Sequence, residues 1–470
     1  MRNVEAVSED DVTSRGRAYL TTLAGRRVAV VGLARSGVAA ARLLAQAGAR
    51  VVATDTKSVD ALGDEVRQLS ADGVTLQVGA VHADAARQAE LVVVSPGVPL
   101  DSPQVAPARA AGVPVVGELE LAWRVMESET LAITGTNGKT TTTALTGALL
   151  AEQARPVLVG GNIGTPLAVH ALSFPPDGLV VCEVSSFQLE TIDTFHPRVG
   201  AVLNVTPDHL DRHGTFAAYL EAKARIFTNQ TRADCAVLNA DDDGSRALAA
   251  CTHARVVWFS RRQSLDHGVF VREGWVVAKL NDTAEQICPL SEISLRGAHN
   301  VENVLAAVAC ALWTGLAPET IRRGVARFRA VAHRIELVRD LQGVQYYNDS
   351  KGTNVASTIK ALESFTEPVV LIAGGLGKGQ DWAPLADAAR GRVTHALVIG
   401  QDAPKIAAAL SEAGIPVTAT ASLEGAVQAA RALAQAGDVV LLSPACASFD
   451  MFRNFEHRGD VFKTLVNELA

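Results

Sequence analysis

The hydrophobic residues of this chain are concentrated in short apolar runs, and each run is followed by a segment with helical spacing. Arg27–Val31, Thr130–Thr134 and Pro368–Ala373 are such runs, and a glycine-rich turn follows each of them. Strands that alternate with helical segments in this way are typical of parallel α/β sheets. The alternation occurs in three blocks, whose boundaries we place near residues 118 and 330.

The same pattern predicts most strands individually. The predicted strands are Arg27–Val31, Arg50–Thr54, Leu91–Val94, Thr130–Thr134, Leu179–Cys182, Val199–Asn204, Gly343–Asn348, Pro368–Ala373, Ala396–Gly400 and Asp438–Ser443. Helices are predicted over Val38–Ala47 and Asn300–Thr314. Between Arg255 and Leu295, short β-like runs separated by turn signals predict antiparallel hairpins. The chain is therefore predicted to be an α/β protein whose sheets are mainly parallel, with a small antiparallel part.

The composition narrows the class of protein without identifying a function. The 470 residues are 48% hydrophobic and 20% charged, which is ordinary for a globular protein and excludes disorder. A formal net charge of −7 argues against broad binding of nucleic acid or of an anionic membrane. The longest apolar stretch, Val304–Trp313, is too short to span a bilayer, and the N-terminus lacks an apolar signal segment. We expect a soluble, cytoplasmic protein with no nucleic-acid partner and no membrane partner.

The cysteines predict no covalent framework and no metal site. All six lie at least 16 residues apart and form no CxxC pair. This spacing fits neither a disulfide-rich scaffold nor a zinc ribbon. We therefore expect buried free thiols in a reducing compartment, and no neighbouring residue marks Cys446 as a nucleophile.

The strongest chemical signal is the segment GTNGKTT, residues Gly135–Thr141, which lies between an apolar strand and a helix. Glycines allow backbone N–H groups to face a polyphosphate, and the N-terminus of the helix adds positive potential. Lys139 would reach the outer phosphates, and the Thr140 hydroxyl would ligate Mg²⁺. The segment is shorter than the general GxxxxGK[ST] pattern, because Ile133 stands at the first glycine position. An ordinary glycine turn is the alternative.

A second glycine-containing loop follows the first strand. Gly32, Ala34 and Gly37 have the spacing of a dinucleotide fingerprint, and Asp55 follows the next strand. Ala34 replaces the middle glycine, whose missing side chain normally allows a pyrophosphate to approach closely. NAD(P) binding is therefore disfavoured. A nucleotide of another kind and a purely structural turn both remain possible interpretations.

Two potential metal ligands follow strands of the second block. Glu183 comes directly after Leu179–Cys182, and His209 comes after Val199–Asn204. Open α/β sheets bind ligands at the carboxyl ends of their strands. A carboxylate and an imidazole there would hold metal ions near the phosphates of ATP, although either residue alone is compatible with a structural role.

Lys223 is an unexpected residue on an apolar stripe. The helix predicted over Thr215–Thr228 has a stripe made of Phe216, Tyr219, Leu220, Ile226 and Phe227. Lys223 falls in the middle of this stripe, so it must snorkel to solvent, pair with an acid or lose its charge. A neutral amine could also react with CO₂ and give a carbamate, which would be a carboxylate-like metal ligand. The pattern leaves these alternatives open.

Two segments of the third block also follow strands and carry polar residues. Gly374–Gly379 contains Lys378 and would form a second anion-binding turn or an ordinary glycine turn. Ser443–Gly459 combines hydroxyl, aromatic and basic side chains, which suits a small polar ligand. Read alone, this second segment would simply begin a helix.

Longer motifs resemble the ATP-dependent Mur ligases of peptidoglycan synthesis. The loop GTNGKTTT is shared with the folylpolyglutamate synthases, whereas other motifs are more specific and occur in the family's order. They are GGNIG at Gly160–Gly164, EVSSFQLE at Glu183–Glu190, HNVEN at His299–Asn303, HR at His333–Arg334, NDSKGTN at Asn348–Asn354 and SPACASFD at Ser443–Asp450. The resemblance covers about residues 27–460. The DNPR motif of the members that add diaminopimelate or lysine is absent, and the motifs are most similar to those of the members that add D-glutamate.

The resemblance implies an architecture and a reaction. It implies a Rossmann-like domain for the UDP-substrate (1–118), a central P-loop ATPase domain (119–330) and a Rossmann-like domain for the incoming amino acid (331–470). ATP would phosphorylate the carboxylate of UDP-N-acetylmuramoyl-L-alanine, and the amine of D-glutamate would attack the acyl phosphate. A tetrahedral intermediate would then collapse to the amide. The implied cofactors are ATP and Mg²⁺, with two ions, and the implied state is a monomer.

The resemblance also implies a role for individual residues. Catalysis would depend on Lys139, Glu183, His209 and Lys223, and the metal ligands would be Thr140, Glu183, His209 and a carbamylated Lys223. ATP would contact Gly135, Thr136, Asn137, Gly138, Lys139, Thr140, Thr141, Asn300, Asn303, Arg334 and Asp349. The UDP-substrate would contact Arg35, Ser36, Asp55, Thr56, Lys57, Ser95, Gly97, Asn162, Ser185 and Gln188. D-Glutamate would contact Lys351, Thr353, Lys378, Ser448 and Phe455.

Two other functions compete with this interpretation. The first is another amide ligase of the same group, with a different amino acid or with a folate acceptor, against which the SSFQLE and PACASFD segments argue. The second is a non-catalytic regulator that uses the P-loop as a nucleotide switch. The presence of Glu183, His209 and Lys223 together favours an enzyme.

Overall fold

The computed structural model describes residues 9–329, 331–377 and 379–470, with side chains from Arg15 onward. The chain divides into two compact units. The first consists of Met1–Pro289 and Asn303–Gly324, and the second of Leu290–Glu302 and Val325–Ala470. Both units are built from α/β layers, as predicted. The domain boundaries near residues 118 and 330 remain a prediction.

The first sheet of the first unit has the strand order β3-β2-β1-β4-β5. Its strands are β1 (Arg27–Val31), β2 (Arg50–Asp55), β3 (Thr75–Val78), β4 (Leu91–Val94) and β5 (Val115–Gly117). Every pairing is parallel, because helical segments return the chain between successive strands. The strand order reverses between β1 and β4, so the loops that follow these two strands frame a crevice at the carboxyl edge of the sheet.

The second sheet of this unit has the order β14-β13-β12-β11-β10-β9-β6-β8-β7. Its strands are β6 (Glu129–Thr134), β7 (Val157–Gly161), β8 (Leu179–Glu183), β9 (Val199–Val202), β10 (Cys235–Asn239), β11 (Arg255–Ser260), β12 (Gly268–Arg272), β13 (Trp275–Lys279) and β14 (Glu285–Pro289). The sheet is parallel from β7 to β12 and antiparallel from β12 to β14. Since β6 lies between β8 and β9, the loop after β6 is flanked by the ends of both strands.

The second unit contains a sheet with the order β15-β16-β20-β17-β18-β19. Its strands are β15 (Glu336–Leu341), β16 (Val344–Asn348), β17 (Val369–Gly374), β18 (Val393–Ile399), β19 (Val417–Ala419) and β20 (Val439–Leu442). The pair β15–β16 is antiparallel, and the other pairs are parallel. The loops after β16, β20 and β17 therefore follow adjacent strands at one edge of this sheet.

Helices and short 3₁₀ turns connect the strands. The helices are α1 (Glu9–Leu23), α2 (Arg35–Gln46), α3 (Val59–Leu62), α4 (Asp64–Gln68), α5 (Ala83–Arg87), α6 (Ala106–Ala110), α7 (Glu118–Val125), α8 (Lys139–Leu150), α9 (Ser186–Leu189), α10 (Leu210–His213), α11 (Phe216–Ala224), α12 (Asp243–Ala247), α13 (Ala298–Trp313), α14 (Pro318–Arg327), α15 (Val355–Leu362), α16 (Ala383–Ala389), α17 (Ala403–Glu412), α18 (Leu423–Leu433) and α19 (Phe455–Glu468). The 3₁₀ turns are Leu167–Val169, Arg225–Phe227, Leu248–Cys251 and Leu290–Glu292. In the described ranges, no helix is long and apolar enough to cross a lipid bilayer.

The central strands of the third sheet are continuous apolar runs, and strand β17 shows the reason. Val370 and Ile372 of β17 belong to one hydrophobic core, and Leu371 and Ala373 belong to another. Successive side chains of a strand point to opposite faces, so both faces of β17 are covered. Full burial of each such aliphatic side chain is worth about 1.5–3 kcal/mol relative to exposure.

The predicted hairpins over Arg255–Leu295 are wrong for the first part of that segment. Strands β11 and β12 pair in parallel, with Trp258 beside Gly268, and extend the main sheet. A Cβ at Gly268 would lie 2.2 Å from the Trp258 carbonyl oxygen, so glycine permits this close return of the chain. Turn signals mark where a strand ends, but they do not give the direction of the next strand.

Other differences concern helix ends and exposure. Helix α2 starts at Arg35 instead of Val38, which places Arg35 and Ser36 in its first turn. The helix predicted over Thr215–Thr228 is α11 followed by a 3₁₀ turn, and its first stripe residue, Phe216, is 36% exposed. Cys251 is exposed, against the expectation of buried thiols, whereas the other five cysteines are buried.

A buried carboxyl links the start of α7 to the 3₁₀ turn Leu167–Val169. Glu118, at the start of α7, is 1% exposed. Its Oε1 accepts a hydrogen bond from Ala168 N at 2.7 Å, while its Oε2 has no hydrogen-bond partner. Burial raises the pKa of Glu118 to about 7. A proton is therefore held by this group more tightly in the folded protein than in the unfolded chain.

We expect the Glu118→Gln variant to gain stability relative to the native protein as the pH rises from 5 to 8. Between the ordinary pKa of 4.5 and the folded value, the folded state binds more protons, so the native free energy of unfolding falls as pH rises. The shift from 4.5 to about 7 corresponds to roughly 3 kcal/mol at most. Thermal melts of both proteins at the two pH values measure the effect, and an identical difference in Tm at both would contradict it.

Candidate active site

The loop between β6 and α8 has the backbone of a phosphate-binding turn. Gly138, which precedes α8, has a φ of +85°, and a Cβ there would lie 2.2 Å from Asn303 Oδ1. Only glycine fits this position without strain. Asn137 N donates to Asn204 Oδ1 at 2.8 Å, and Asn204 Nδ2 donates to the Asn137 carbonyl at 3.1 Å. These bonds hold the loop at the N-terminus of α8, where backbone N–H groups favour an anion.

The same loop is tied to the segment after β9. Thr136 Oγ1 donates to the Thr206 carbonyl at 3.1 Å and lies 3.2 Å from Tyr219 OH. Sequence reasoning missed Asn204, Thr206 and Tyr219 as supports of this loop. The position of Asn204 at a strand end was a usable signal, whereas Tyr219 was counted only as an apolar stripe residue.

Two lysines converge on one backbone carbonyl of this loop. Lys139 Nζ donates to the Gly135 carbonyl at 2.9 Å and to the Thr136 carbonyl at 2.8 Å. Lys223 Nζ donates to the same Gly135 oxygen at 2.9 Å. Lys223 is 1% exposed, so it does not snorkel. Burial, and then the neighbouring Lys139 charge, lower the pKa of Lys223 well below its ordinary value.

Side-chain oxygens that could ligate a metal ion lie beside the start of α8. Thr140 Oγ1 donates to Glu183 Oε2 at 2.7 Å, and Asn162 Nδ2 donates to Glu183 Oε1 at 2.6 Å. A hydroxyl and a carboxylate are hard oxygen ligands of the kind that Mg²⁺ prefers. Among the described residues, no three His, Cys, Asp or Glu side chains are grouped for a metal ion. The donor set therefore fits Mg²⁺ in the manner of a P-loop site, with the hydroxyl and substrate phosphates sharing the ligation.

His209 lies in the loop between β9 and α10. Its backbone is left-handed, with a φ of 51°, and its ring centroid is 5.0 Å from that of Phe187. Glu190, after α9, contacts Arg212 at 2.8 Å and His213 at 3.4 Å. These contacts hold the loop of His209 and helix α10 against α9, the helix that contains Gln188.

A cavity of about 370 Å³ lies at the carboxyl edge of the first sheet, next to the loop after β7. Most of the residues predicted to contact the UDP-substrate line it, namely Arg35, Ser36, Asp55, Ser95, Gly97, Asn162 and Gln188. The predicted contacts Thr56, Lys57 and Ser185 are not among its lining residues. Its volume is in the range of small-molecule sites, roughly 300–1,000 Å³.

Asp55 organises the loops around this cavity. Its Oδ2 accepts from Leu33 N at 2.8 Å, and its Oδ1 accepts from Lys57 N at 2.9 Å. Ser95 Oγ donates to the Gly32 carbonyl at 2.7 Å. A Cβ at Gly32, whose φ is +88°, would lie 2.7 Å from Val98 Cγ2. The fingerprint glycine is therefore required here by the close packing of two loops.

In the second unit, Asp349 is fully buried after β16. Its Oδ2 accepts from Ser443 Oγ at 2.8 Å, and its Oδ1 lies 4.0 Å from Arg334 Nη1. Burial raises the pKa of Asp349 to about 6. The carboxyl joins the loop after β16 to the loop after β20, and it lies within ion-pair distance of Arg334.

A buried guanidinium joins the segments that carry Lys351, Thr353, Ser448 and Phe455, four of the predicted D-glutamate residues. Arg458, 1% exposed, donates to the Ser350 carbonyl at 2.7 Å and to the Cys446 carbonyl at 3.2 Å. Lys351 Nζ lies 5.4 Å from the centroid of the Phe455 ring. Thr353 lies in the same loop as Lys351, between β16 and α15. Ser448 is buried in the loop after β20, and Lys378 lies outside the described residues. Arg458 was not predicted, although its place in the first turn of α19, within the segment Ser443–Gly459, was a signal.

Two of the remaining predicted ATP contacts, Asn300 and Asn303, lie on α13. Asn303 Oδ1 accepts from Thr142 Oγ1 at 3.3 Å, beside the phosphate-binding turn in the first unit. Asn300 belongs to the second unit, where its Nδ2 donates to the Arg296 carbonyl at 2.6 Å. Thr141, in the first turn of α8, is buried.

Comparison with known families matches three successive segments of the chain. Residues 26–117 match the MurD-like N-terminal domain of Mur ligases, residues 133–311 the Mur ligase middle domain, and residues 333–446 the Mur ligase glutamate ligase domain. The UDP-N-acetylmuramoylalanine–D-glutamate ligase of Koribacter versatilis is 48% identical over 95% of this chain and 98% of its own length. The ligase of the same name from Pelotomaculum thermopropionicum is 48% identical over 94% and 98%.

Solved structures agree on the fold. The UDP-N-acetylmuramate–alanine ligase of Thermotoga maritima has a TM-score of 0.61 at 20% identity, covering 94% of this chain and 99% of that one. A pseudomurein peptide ligase from Methanothermus fervidus has a TM-score of 0.60 at 17% identity, covering 95% and 100%. The predicted α/β fold class and family resemblance are confirmed. The chain belongs to the Mur ligase family, and within it to the UDP-N-acetylmuramoylalanine–D-glutamate ligases.

Proposed function

We propose that this protein joins D-glutamate to UDP-N-acetylmuramoyl-L-alanine at the expense of ATP, in cytoplasmic peptidoglycan precursor synthesis. The γ-phosphoryl group of ATP passes to the substrate carboxylate, and ADP leaves. The amine of D-glutamate attacks the resulting acyl phosphate, and the tetrahedral intermediate collapses to an amide with release of phosphate. The observation that carries this proposal is the phosphate-binding turn, whose Thr140 touches the buried Glu183. The names of the relatives support the choice of substrates.

The phosphate-binding turn supplies positive potential to the polyphosphate. The backbone N–H groups of Gly135–Thr141 and the N-terminus of α8 would face the β- and γ-phosphates. Lys139 would exchange its two carbonyl acceptors for phosphate oxygens and neutralise charge that develops during transfer. Asn303, beside the turn, would contact ATP, as would Asn300, Arg334 and Asp349 from the second unit.

Mg²⁺ supplies further charge neutralisation when it is bound. Thr140, Glu183, His209 and a carbamylated Lys223 would hold two ions. These oxygen and imidazole ligands are negative or neutral, so they attract metal cations. The cations add to the positive charge of Lys139, which alone is a poor counter-charge for several phosphates. Asn162 would keep Glu183 oriented through its 2.6 Å hydrogen bond.

The 370 Å³ cavity would hold the UDP-substrate. Arg35 and Ser36, in the first turn of α2, would contact the pyrophosphate, and Asp55, Thr56 and Lys57 would surround the uridine. Ser95 and Gly97 would line the other wall, and Asn162, Ser185 and Gln188 would follow the muramoyl-alanine arm. We propose that the protein acts as a monomer.

An assay of phosphate release with UDP-N-acetylmuramoyl-L-alanine, D-glutamate, ATP and Mg²⁺ tests the function directly. We expect product only when all four are present. Parallel reactions with other amino acids, and with folate as acceptor, separate this activity from that of related amide ligases. Strict dependence on an amino acid other than D-glutamate would overturn the proposed substrate, and binding without product formation would indicate a regulator.

Lys351, Thr353, Lys378, Ser448 and Phe455 would hold D-glutamate, and Lys378 offers the sharpest test. We expect Lys378→Ala to raise the KM for D-glutamate much more than the KM for ATP or for the UDP-substrate. D-Glutamate brings two carboxylates, and a buried unpaired carboxylate is costly. One charge-assisted contact is worth about 1.5–3 kcal/mol, or roughly 10- to 150-fold.

Steady-state kinetics with each substrate varied in turn measure this effect. Lys360→Ala is the matched control, because Lys360 is an exposed lysine of α15 that pairs with Glu363. An unchanged KM for D-glutamate in Lys378→Ala would remove Lys378 from the site.

A further inference from the structure

The first unit contains a second cavity, of about 500 Å³, that the proposed reaction does not use. Its walls come from the beginnings of β4 and β5 and from the segment that follows α9. Four arginines line it, namely Arg26, Arg109, Arg124 and Arg225. Four basic side chains around one concave surface create a positive potential, which acidic partners from the protein or an anion from solution would offset.

Within the part of the chain that the structure describes, only one of these arginines forms a salt bridge, and Arg26 lies near enough to the Glu90 carboxylate to attract it. Arg124 lies 2.6 Å from Glu120 and 2.6 Å from Asp193. Arg26, Arg109 and Arg225 form no salt bridge among the described residues. The other acid on the wall, Glu190, is already engaged by two basic residues of α10.

Backbone carbonyls, which carry no charge, are the acceptors of the three remaining guanidinium groups. Arg26 Nη2 donates to the Glu90 carbonyl at 2.9 Å, and Arg109 Nη1 reaches the Leu100 carbonyl at 3.5 Å. Arg225 donates to the Leu189 and Ile192 carbonyls, each at 2.6 Å. Carbonyls hold these groups in place without neutralising them, and each guanidinium has five N–H donors, so further donors are left.

We propose that this cavity binds a small molecule that carries phosphate groups. The planar guanidinium fork matches two oxygens of a phosphate, and arginine is the preferred residue for such bidentate contacts. Leu91, Leu100, Val116 and Ile192 provide an apolar wall for the remainder of the ligand. The volume is that of a small-molecule site, within roughly 300–1,000 Å³.

The cavity lies next to two elements of the proposed active site. Arg225 follows Lys223 by two residues, and its carbonyl acceptors lie at the end of the segment that begins with Gln188. The ligand would contact Arg225 directly. The site is nevertheless separate from the UDP-substrate cavity, because the two have no lining residue in common.

Isothermal titration with inorganic pyrophosphate, in the absence of metal, tests the proposal on the full chain. The titrated protein carries Lys139→Ala and Arg35→Ala, which weaken binding at the phosphate-binding turn and at the proposed UDP-substrate cavity. We expect one binding event to remain. Addition of Arg26→Gln and Arg109→Gln should weaken it by roughly 10- to 100-fold, as expected for the loss of two charge-assisted contacts.

Arg17→Gln with Arg87→Gln is the charge-matched control, because both are exposed arginines outside the cavity. This pair should change the affinity by less than about twofold, since exposed charges are screened by salt. Equal weakening by the two pairs, or no binding of pyrophosphate to the protein that carries Lys139→Ala and Arg35→Ala, would overturn the proposal. Arg109→Gln alone, at an exposed position, provides the same comparison if the double variant does not fold, and its turnover should equal that of the native protein.

Discussion

The Lys139→Ala variant should lose turnover while its affinity for the UDP-substrate stays within a few fold of the native value. Lys139 is the first residue of α8, the helix that follows β6 of the second sheet, and it donates to the carbonyls of Gly135 and Thr136. It does not line the 370 Å³ cavity. Removal of one preorganised donor from a site of developing charge costs roughly 10²–10³ in rate, and a lysine that meets phosphates directly should cost at least as much.

Phosphate release measures the loss of turnover, and calorimetric titration measures binding of the UDP-substrate. Arg35→Ala is the complementary variant, because Arg35 lines the cavity and lies far along the chain from the phosphate-binding turn. We expect it to weaken the UDP-substrate and to leave ATP binding unchanged. Loss of affinity for the UDP-substrate in Lys139→Ala, with ATP use retained, would reverse the assignment of the two sites.

A second large effect is expected at Lys223, which we predict to be carbamylated in the active enzyme. Burial lowers the pKa of its amine, and a neutral amine can attack CO₂ to form a carbamate with release of a proton. The ammonium form places two cations on the carbonyl of Gly135, since Lys139 donates to it as well. Carbamylation changes the local charge from +1 to −1, which removes this repulsion and supplies oxygen ligands for Mg²⁺.

Lys223→Ala should therefore lose most of the activity, and Lys223→Glu should recover part of it, although its side chain is shorter. Enzyme depleted of CO₂ should lose activity and regain it when bicarbonate is added. Carbamates are labile in acid, so electron density for a branched side chain is a better observation than denaturing mass spectrometry. An unmodified Lys223 in a substrate-bound crystal, together with full activity of Lys223→Ala, would contradict the prediction.

The elements that were predicted correctly are those whose signal is local. Apolar runs such as Leu91–Val94 are buried on both faces, so hydrophobicity alone identifies them. The glycine-rich turn after β6 was recognised because its backbone conformation requires glycine at Gly138. Lys223 was recognised because a charged residue on an apolar stripe breaks the period of its helix, and it is indeed buried.

The features that were missed depend on pairing between distant segments. Strand β15 is the antiparallel edge of the third sheet, and its burial pattern is irregular, so no apolar run marks it. Strand β19 has only three residues at the opposite edge. The role of Asn204 depends on a partner 67 residues away along the chain. Neither composition nor periodicity contains that information.

Helix α9 begins with a capping box that has a consequence for inhibitor design. Gln188 N donates to Ser185 Oγ at 3.2 Å, and Ser185 N donates to Gln188 Oε1 at 3.0 Å. A backbone N–H can only donate, so the amide oxygen of Gln188 must face Ser185, and its NH₂ group is the end left for a ligand. Ordering a free glutamine side chain costs up to about 2 kcal/mol of rotamer entropy, and folding has already met that cost here. A scaffold that presents an acceptor to this NH₂ group would bind a rigid donor, whereas one that presents a donor would first have to break the helix cap.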